Sequence, residues 1–289
     1  TPLYSSAASD VYKRQMSYFT NLSRREFIWG MSCACGTTLI LPSCAEVAMS
    51  ERKQIKIFSD DYLHSKAFPA YENFKSQAKL ITGTSESQKI IDIGLSIRDA
   101  INVYYANRDE QNPTSNFQWE FVLVDNDQIK NAWCMPGGKI AFYTGLMPIA
   151  KNDDGIASIM GHEIAHAVAR HSAERMSTAM LVDAGKYALE RFVLGQRLPS
   201  FSKQLRRYGL DLPFNRKQES EADYMGIIFS NLAGYNIDES YKIWERMQEE
   251  GGAGPAEFFS THPSPENRIK KLKEWIPEIR SKYPSTQLS

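Results

Sequence analysis

The sequence predicts an α+β fold in which helices predominate and a few short strands form a small sheet. Residues 71–107 carry apolar side chains at helical spacing, with a stripe of isoleucines that favours a core helix. Three short segments between residues 119 and 144 show strand patterns separated by turn signals, and long helical patterns follow them. With 289 residues, 42% of them hydrophobic, the chain can bury a sizeable core, so it needs no disulfide or metal merely to fold.

Charge and cysteine content exclude two classes of protein. The formal net charge is +0, which argues against a nucleic-acid-binding protein, because such a protein is expected to carry a basic face. Of the four cysteines, Cys33, Cys35 and Cys44 crowd the N-terminus. If that segment is removed, Cys134 is alone, and a disulfide framework is excluded for the mature chain.

The N-terminal segment is predicted to lie outside the folded domain. Met16 is the expected start, so residues 1–15 are treated as non-native or upstream leader. Arg24 and Arg25 precede an apolar run of about 15 residues, which is shorter than the ~20 that a membrane-spanning helix needs. A cleaved signal peptide over residues 16–44 is therefore favoured over a permanent anchor helix.

Two short motifs in this signal predict the destination of the mature protein. The paired arginines resemble the twin-arginine export motif, with an ordinary secretory signal as the alternative. Residues 41–44 resemble a bacterial lipobox with Cys44 as the lipidated residue, and the alternative is cleavage near Ala45 or Ala48 with soluble release. Lipidation and soluble release both predict an exported, periplasmic protein. Lipidation would also anchor it to the outer membrane through acyl chains on Cys44.

The mature chain is predicted to start with a tether and to continue as one domain. Residues 45–60 have the polar composition of a tether, and residues 61–289 are assigned to the domain. The third strand pattern of the domain covers residues 139–144. We expect this strand to lie at a sheet edge, where it could pair with an extended peptide, and the alternative is an ordinary internal strand.

The helical pattern that follows contains paired histidines. It is expected to begin at Asp153 or Asp154. His162 and His166 are four residues apart and share a helix face, so both imidazoles can bind one metal ion. Glu163 cannot easily bind the same ion but can reach a water held there, which is the HExxH arrangement.

Zinc bound in this way would lower the pKa of the water toward neutrality, and the carboxylate of Glu163 would take its proton. The preceding Gly161 is small enough to sit against a neighbouring element. The alternative is a buried histidine pair satisfied by hydrogen bonds, with Glu163 solvated.

A second helix, expected to start near residue 216, can supply a third metal ligand. Glu219 and Asp223 are again four residues apart, so Glu219 can bind the ion while Asp223 accepts the other ring N–H of a ligating histidine. Glu221 points away around the helix and is expected to be exposed. The alternative is a solvated acidic face at a helix N-terminus, where negative charge is favoured anyway.

Together, these residues resemble the CAAX-prenyl-protease-type family of zinc metallopeptidases, which includes BepA-, LoiP- and Oma-type peptidases. Its pattern of HExxH followed by ExxxD matches residues 162–166 and 219–223. Further matches at residues 131–146, 153–157 and 261–269 extend the resemblance over nearly all of the mature chain. The leader and the single-domain length favour the LoiP-like branch of periplasmic lipoproteins.

The resemblance implies a predominantly helical, zincin-like fold with the small sheet beside the catalytic helix, and proteolysis as the activity. It implies one Zn2+ ion bound by His162, His166 and Glu219. Glu163 would be the catalytic base, and Asp223 would orient a ligating histidine from behind.

The resemblance also gives His262 and Arg268 a catalytic role. Both would lie near the active site and stabilise the oxyanion, because a cation or N–H donor facing that developing charge is what the transition state needs. Two alternatives remain open. Both residues could only cap and pair within a loop, or His262 could ligate zinc in a resting state and block the water position.

The predicted function is a zinc-dependent endopeptidase of the bacterial cell envelope that hydrolyses unfolded or misassembled proteins. The rival hypothesis is a non-hydrolytic chaperone or assembly factor that retains the metal site. The intact Glu163 favours the enzyme, because a purely structural site does not need it, and closed structural zinc sites usually carry cysteines. The natural substrate and the oligomeric state are left open by the sequence.

Overall fold

A computed structural model describes residues 43–50, 52–181, 214–249, 262 and 267–285. The predicted leader and all but the last two residues of the predicted signal segment lie outside these ranges. Helices predominate in the described chain and accompany a small mixed sheet, which confirms the predicted fold class. The described helices are α1 (Asp60–Gln77), α2 (Ser85–Ala106), α3 (Met147–Ala150), α4 (Asp153–Val168), α5 (residues 171–181), α6 (Arg216–Leu232), α7 (Glu239–Glu249) and α8 (Arg268–Lys282).

The main sheet has four strands in the order β3-β4-β6-β5. Its strands are β3 (Leu80–Ile81), β4 (Glu120–Val124), β5 (Ala132–Met135) and β6 (Lys139–Tyr143). β6 pairs in parallel with β4 on one side and antiparallel with β5 on the other. The tight β5–β6 turn uses Gly137 and Gly138, whose φ angles of 87° and 79° lie in the region that favours glycine.

The sheet order corrects one prediction about substrate binding. The strand expected at the edge, residues 139–144, is internal apart from its last residue, because β6 is paired on both sides. Among the described strands, β3 and β5 lie at the two edges, and β5, the hairpin partner of β6, packs against α4. Alternation of side chains identifies a strand but carries no information on which neighbours it acquires, so the sequence could not settle this point.

A β-hairpin stands where the tether was predicted. β1 (Ser43–Glu46) pairs antiparallel with β2 (Lys53–Lys56), so residues 45–60 are not an unstructured tether. Val47 in the hairpin loop is only 2% exposed and joins the main hydrophobic core. Backbone hydrogen bonds hold its two strands together, and the buried Val47 packs the hairpin against the core.

The two helices that carry the candidate ligands have clear N-terminal caps. Asn152 caps α4 by accepting the backbone N–H of Gly155 at 2.8 Å, one position before the expected aspartates. Asn215 caps α6 and forms a capping box with Gln218. Every residue of α4 from Gly155 to Val168 is buried, so this helix lies in the centre of the core.

Glycines bring α4 and α6 into close contact. A Cβ on Gly226 would lie 2.8 Å from the backbone nitrogen of His162, and a Cβ on Gly161 would lie 2.7 Å from the carbonyl oxygen of Gly226. Both distances are too short for a real side chain, and backbone atoms cannot rotate away. The expectation that Gly161 packs against a neighbouring element is met by this crossing.

We expect Gly226→Ala to lower the free energy of unfolding by about 2–3 kcal/mol, the upper part of the range for overpacking a core. The higher helix propensity of alanine, about 1 kcal/mol, only partly offsets this loss. Urea unfolding of the metal-free variant measures the change. A variant as stable as the wild type would show that the helices separate at little cost.

Candidate metal centre

Four side chains from distant parts of the chain converge on one point. His162 and His166 come from α4, Glu219 from the first turn of α6, and His262 from the segment before α8. One potential ligand atom from each lies within 4.8 Å of every other. The structure therefore brings together the three predicted metal ligands and adds His262 to them.

The spacing of these atoms fits a tetrahedral metal ion. The Nε2 atoms of His162 and His166 are 3.0 Å apart, and Glu219 Oε1 lies 3.3 Å from Nε2 of His166. His262 Nδ1 lies 3.3 Å from His162 Nε2 and 3.1 Å from Glu219 Oε1. Ligand bonds of about 2.0–2.1 Å place tetrahedral donors about 3.3 Å apart, close to these distances.

Burial and charge also fit a cation. Glu219 is fully buried; among the described residues its Oε2 makes no hydrogen bond of good geometry, although Nη2 of Arg268 lies 3.2 Å away as an ion-pair partner. Burial alone would raise the pKa of Glu219, but the facing histidines, His262 first, hold that pKa well below its usual value. Burial lowers the pKa of His166 well below its usual value, which keeps the ring in the neutral form that binds metals. A buried carboxylate beside a neutral imidazole is a site in which a divalent ion is stabilised.

Glu163 lies beside this cluster but outside the set of converging atoms. Its side chain is buried, and its Oε1 is 3.4 Å from Nε2 of His262. That oxygen makes no hydrogen bond within the part of the chain that the structure describes. Burial raises the pKa of Glu163, although the charges of His262 and His162 oppose the shift. A carboxylate with a free oxygen and a raised pKa suits a group that accepts a proton.

The ring of His162 is held from behind by Asp223. Nδ1 of His162 is 3.0 Å from Asp223 Oδ1, which leaves Nε2 facing the cluster. Arg268 donates from Nη2 to the same Asp223 oxygen at 2.5 Å, and the guanidinium stacks 3.6 Å from the centre of the Trp244 ring. The i, i+4 relation of Glu219 and Asp223 thus places Glu219 among the converging atoms and Asp223 behind the His162 ring.

Arg268 lies behind the ligand cluster, against Asp223 and the outer side of the His162 ring. Its Nη2 contacts Asp223 and lies 3.4 Å from Nδ1 of His162, the ring atom that faces away from the cluster. The same nitrogen reaches Glu219 Oε2 at 3.2 Å. This placement favours a role in holding the ligands over contact with substrate, because the nitrogen that reaches the site is already engaged by carboxylates.

The ring of His166 is held by His171 and, through His171, by Glu221. Nδ1 of His166 is 2.8 Å from Nδ1 of His171, and Nε2 of His171 is 2.9 Å from Glu221 Oε2. Burial would raise the pKa of Glu221, but hydrogen bonds from His171 and Arg52 hold that pKa at about 2. Glu221, expected to be exposed, is therefore a largely covered anion with an 8% exposed side chain.

A break in the helix brings His171 back to His166. Helix α4 ends at Val168, and Arg170 has a positive φ of 58° before α5 begins. Projection on a continuous helix puts His171 away from His166, whereas the break returns its ring to that histidine. The arginine–histidine pair that follows the HExxH segment was the available signal.

An aromatic wall covers the other side of the cluster. Phe214 stacks on the His166 ring with centroids 3.8 Å apart, and the guanidinium of Arg175 lies 3.7 Å from the Phe214 centroid. Phe214 directly precedes the cap of α6, so the same turn delivers this ring and Glu219. The wall excludes water from the face of His166, which strengthens the electrostatic interactions within the cluster.

Comparison with known proteins identifies related sequences. The model of peptidase family M48 matches residues 99–276, more than half of the chain. Mitochondrial metalloendopeptidase OMA1 of Schizosaccharomyces pombe is 33% identical over 262 residues, which cover 90% of this chain and 74% of the relative. OMA1 of Saccharomyces cerevisiae is 35% identical over 181 residues, covering 60% and 51%. The beta-barrel assembly-enhancing protease of Escherichia coli is 28% identical over 175 residues, covering 56% and 35%.

These relatives correct the predicted location. Apart from the fission yeast protein, the chain spans about half or less of the length of these relatives. The relatives at 31–39% identity are mitochondrial proteins, so the prediction of an exported, periplasmic protein anchored to the outer membrane is wrong, and the LoiP-like lipoprotein branch is not supported. A basic N-terminal segment does not by itself determine the destination of a protein, because both secretory signals and transit peptides carry positive charge. Within the described ranges, no helix is long and apolar enough to cross a membrane.

Proposed function

The chain belongs to peptidase family M48 and is a metalloendopeptidase, and on this premise we propose that it uses one zinc ion held by His162, His166 and Glu219. The observation that carries the proposal is the convergence of these three side chains at 3.0–3.6 Å, with Glu163 beside them and outside the ligand set. Imidazole and carboxylate ligands without cysteine are typical of catalytic zinc sites.

When bound, the ion supplies a Lewis acid that polarises a peptide carbonyl and lowers the pKa of water. Glu163 takes a proton from the attacking water on its free Oε1 and returns it to the leaving amine. Asp223 keeps the proton of His162 on Nδ1, so that Nε2 remains the metal-binding atom. Phe214 excludes bulk water from the site.

We assign His262 a position among the donors in this conformation. Its Nδ1 faces Glu219 and its Nε2 faces Glu163, so the ring lies between the ligands and the base. A catalytic zinc site keeps one position for water, and a fourth protein donor fills that position. His262 must therefore move away before catalysis, which favours the resting-state alternative over a permanent oxyanion contact.

The substrates are polypeptides, and we propose that they are unfolded or misassembled proteins. The edge strand β5 packs against α4 and can pair with an extended chain through backbone hydrogen bonds. Such pairing requires a locally unfolded segment and reads few side chains. The non-hydrolytic chaperone hypothesis is disfavoured, because it gives no role to Glu163 at this position.

Removal of the metal tests this function. We expect purified protein to contain about one zinc per chain and to cleave unfolded casein. Dialysis against a chelator should abolish cleavage, and one equivalent of Zn2+ should restore it. Circular dichroism serves as the control, because the chelated protein should keep its helical signal. Undiminished cleavage by metal-free protein would contradict the proposal.

A further inference from the structure

An arginine in the loop of the β1–β2 hairpin contacts residues that lie behind the metal centre. Arg52 donates from Nε to Glu221 Oε2 at 2.9 Å and from Nη2 to Glu174 Oε2 at 2.9 Å. Glu174 lies on α5 and also accepts from the side chain of Gln218 at 2.8 Å. All three charged side chains are largely buried, at 8–16% exposure. One guanidinium thus joins the hairpin, α5 and α6.

A chain of hydrogen bonds connects this arginine to a proposed metal ligand, His166. Nε2 of His166 faces the cluster, so its ring proton belongs on Nδ1, from which it donates to Nδ1 of His171. His171 then carries its own proton on Nε2 and donates it to Glu221. The chain of contacts ends at Arg52, which holds the Glu221 carboxylate on both of its oxygens.

Each of the two proposed histidine ligands has a carboxylate behind it, and an arginine binds that carboxylate. Behind His162, Asp223 accepts the ring proton and Arg268 binds that carboxylate. Behind His166, Glu221 is reached through one intervening histidine, and an arginine again binds the carboxylate. The first arginine follows the recognisable C-terminal motif, whereas the second comes from a hairpin with no motif of its own.

We propose that Arg52 is a positioning residue of the metal centre, which fixes the orientation of His166 through Glu221 and His171. The inference rests on the proposed function for the identity of the ligands. Without the guanidinium, the carboxylates of Glu174 and Glu221 face each other in a buried layer, and their repulsion moves Glu221 away from His171. His171 then loses the acceptor that sets its proton, and His166 loses its fixed orientation.

The test measures metal binding separately from folding. Full-length Arg52→Gln should bind Zn2+ about 10-fold more weakly in competition with a chromophoric chelator, within the range known for outer partners of ligating histidines. Its Co2+ absorption spectrum should change, and kcat should fall while KM stays constant. Arg52→Lys should recover only part of the affinity, because an ammonium cannot bind both carboxylates as a fork. Arg98→Gln is the matched control, because the ion pair of Arg98 within the described part of the chain is with the neighbouring, exposed Asp99.

A double-variant comparison separates positioning from general stabilisation. The side chain introduced by Glu221→Gln can still accept a hydrogen bond from His171, but it carries no negative charge for Arg52 to neutralise. Adding Arg52→Gln to Glu221→Gln should therefore change Zn2+ affinity less than twofold. The proposal is overturned if the two losses add, or if Arg52→Gln keeps wild-type affinity and spectrum while only its melting temperature falls. Because affinity is measured whether or not the protein cleaves casein, failure here is distinct from failure of the proposed function.

Discussion

Replacing Glu163 by glutamine is expected to lower kcat/KM for casein or a peptide by about 10²–10⁴-fold, the contribution typical of general acid–base catalysis. The amide has nearly the same shape as the carboxylate but cannot accept the proton of the attacking water. Zinc content should stay at the wild-type level, because Glu163 is not among the converging ligand atoms. Metal analysis and steady-state kinetics on the same preparation measure both quantities.

The control for Glu163→Gln is Glu245→Gln, which removes a carboxylate from an exposed pair with Lys273. Surface pairs of this kind contribute little to stability, so its activity should match that of the wild type. Wild-type cleavage by Glu163→Gln would refute the assignment of the base. Loss of zinc together with activity would instead show that Glu163 helps to hold the ion.

Replacing Glu219 by alanine is expected to weaken Zn2+ binding by more than about 100-fold, beyond the loss usually caused by removing an outer partner of a ligand. The variant removes the only carboxylate among the four converging side chains and leaves the three histidines. Cleavage should be undetectable at stoichiometric zinc. Competition with a chelator gives the affinity, and far-ultraviolet circular dichroism reports whether the fold survives.

Asp223→Asn provides the graded comparison for Glu219→Ala. The asparagine oxygen can still accept from His162 but no longer neutralises Arg268, so we expect a loss of about 10-fold in affinity, smaller than for Glu219→Ala. Equal losses for the two variants would contradict the assignment of Glu219 as a ligand and Asp223 as its neighbour behind the site.

The ligand cluster could be predicted from sequence because helical spacing fixes which side chains share a face. The spacing of His162 and His166, and of Glu219 and Asp223, is a local property, and the structure places each pair where that spacing puts it. The glycine that lets the two helices touch was also visible as a small residue beside the histidines.

The features of the fold and site that the sequence did not predict depend on contacts between segments that are distant in the chain. No local pattern says that β6 is internal, that Arg170 breaks the helix, or that a polar hairpin covers Glu221. The projection that turned Glu221 away from the ion was geometrically sound. The assumption that this face meets solvent failed, because the segment that covers it lies 169 positions earlier in the chain.

The crossing of α4 and α6 at two glycines has a consequence for metal uptake. The backbones that carry His162 and Glu219 are locked together by core packing, so the fold itself fixes how these two donors lie relative to each other. Metal binding should therefore cost little conformational entropy. An enzyme stripped of zinc should bind zinc again without refolding.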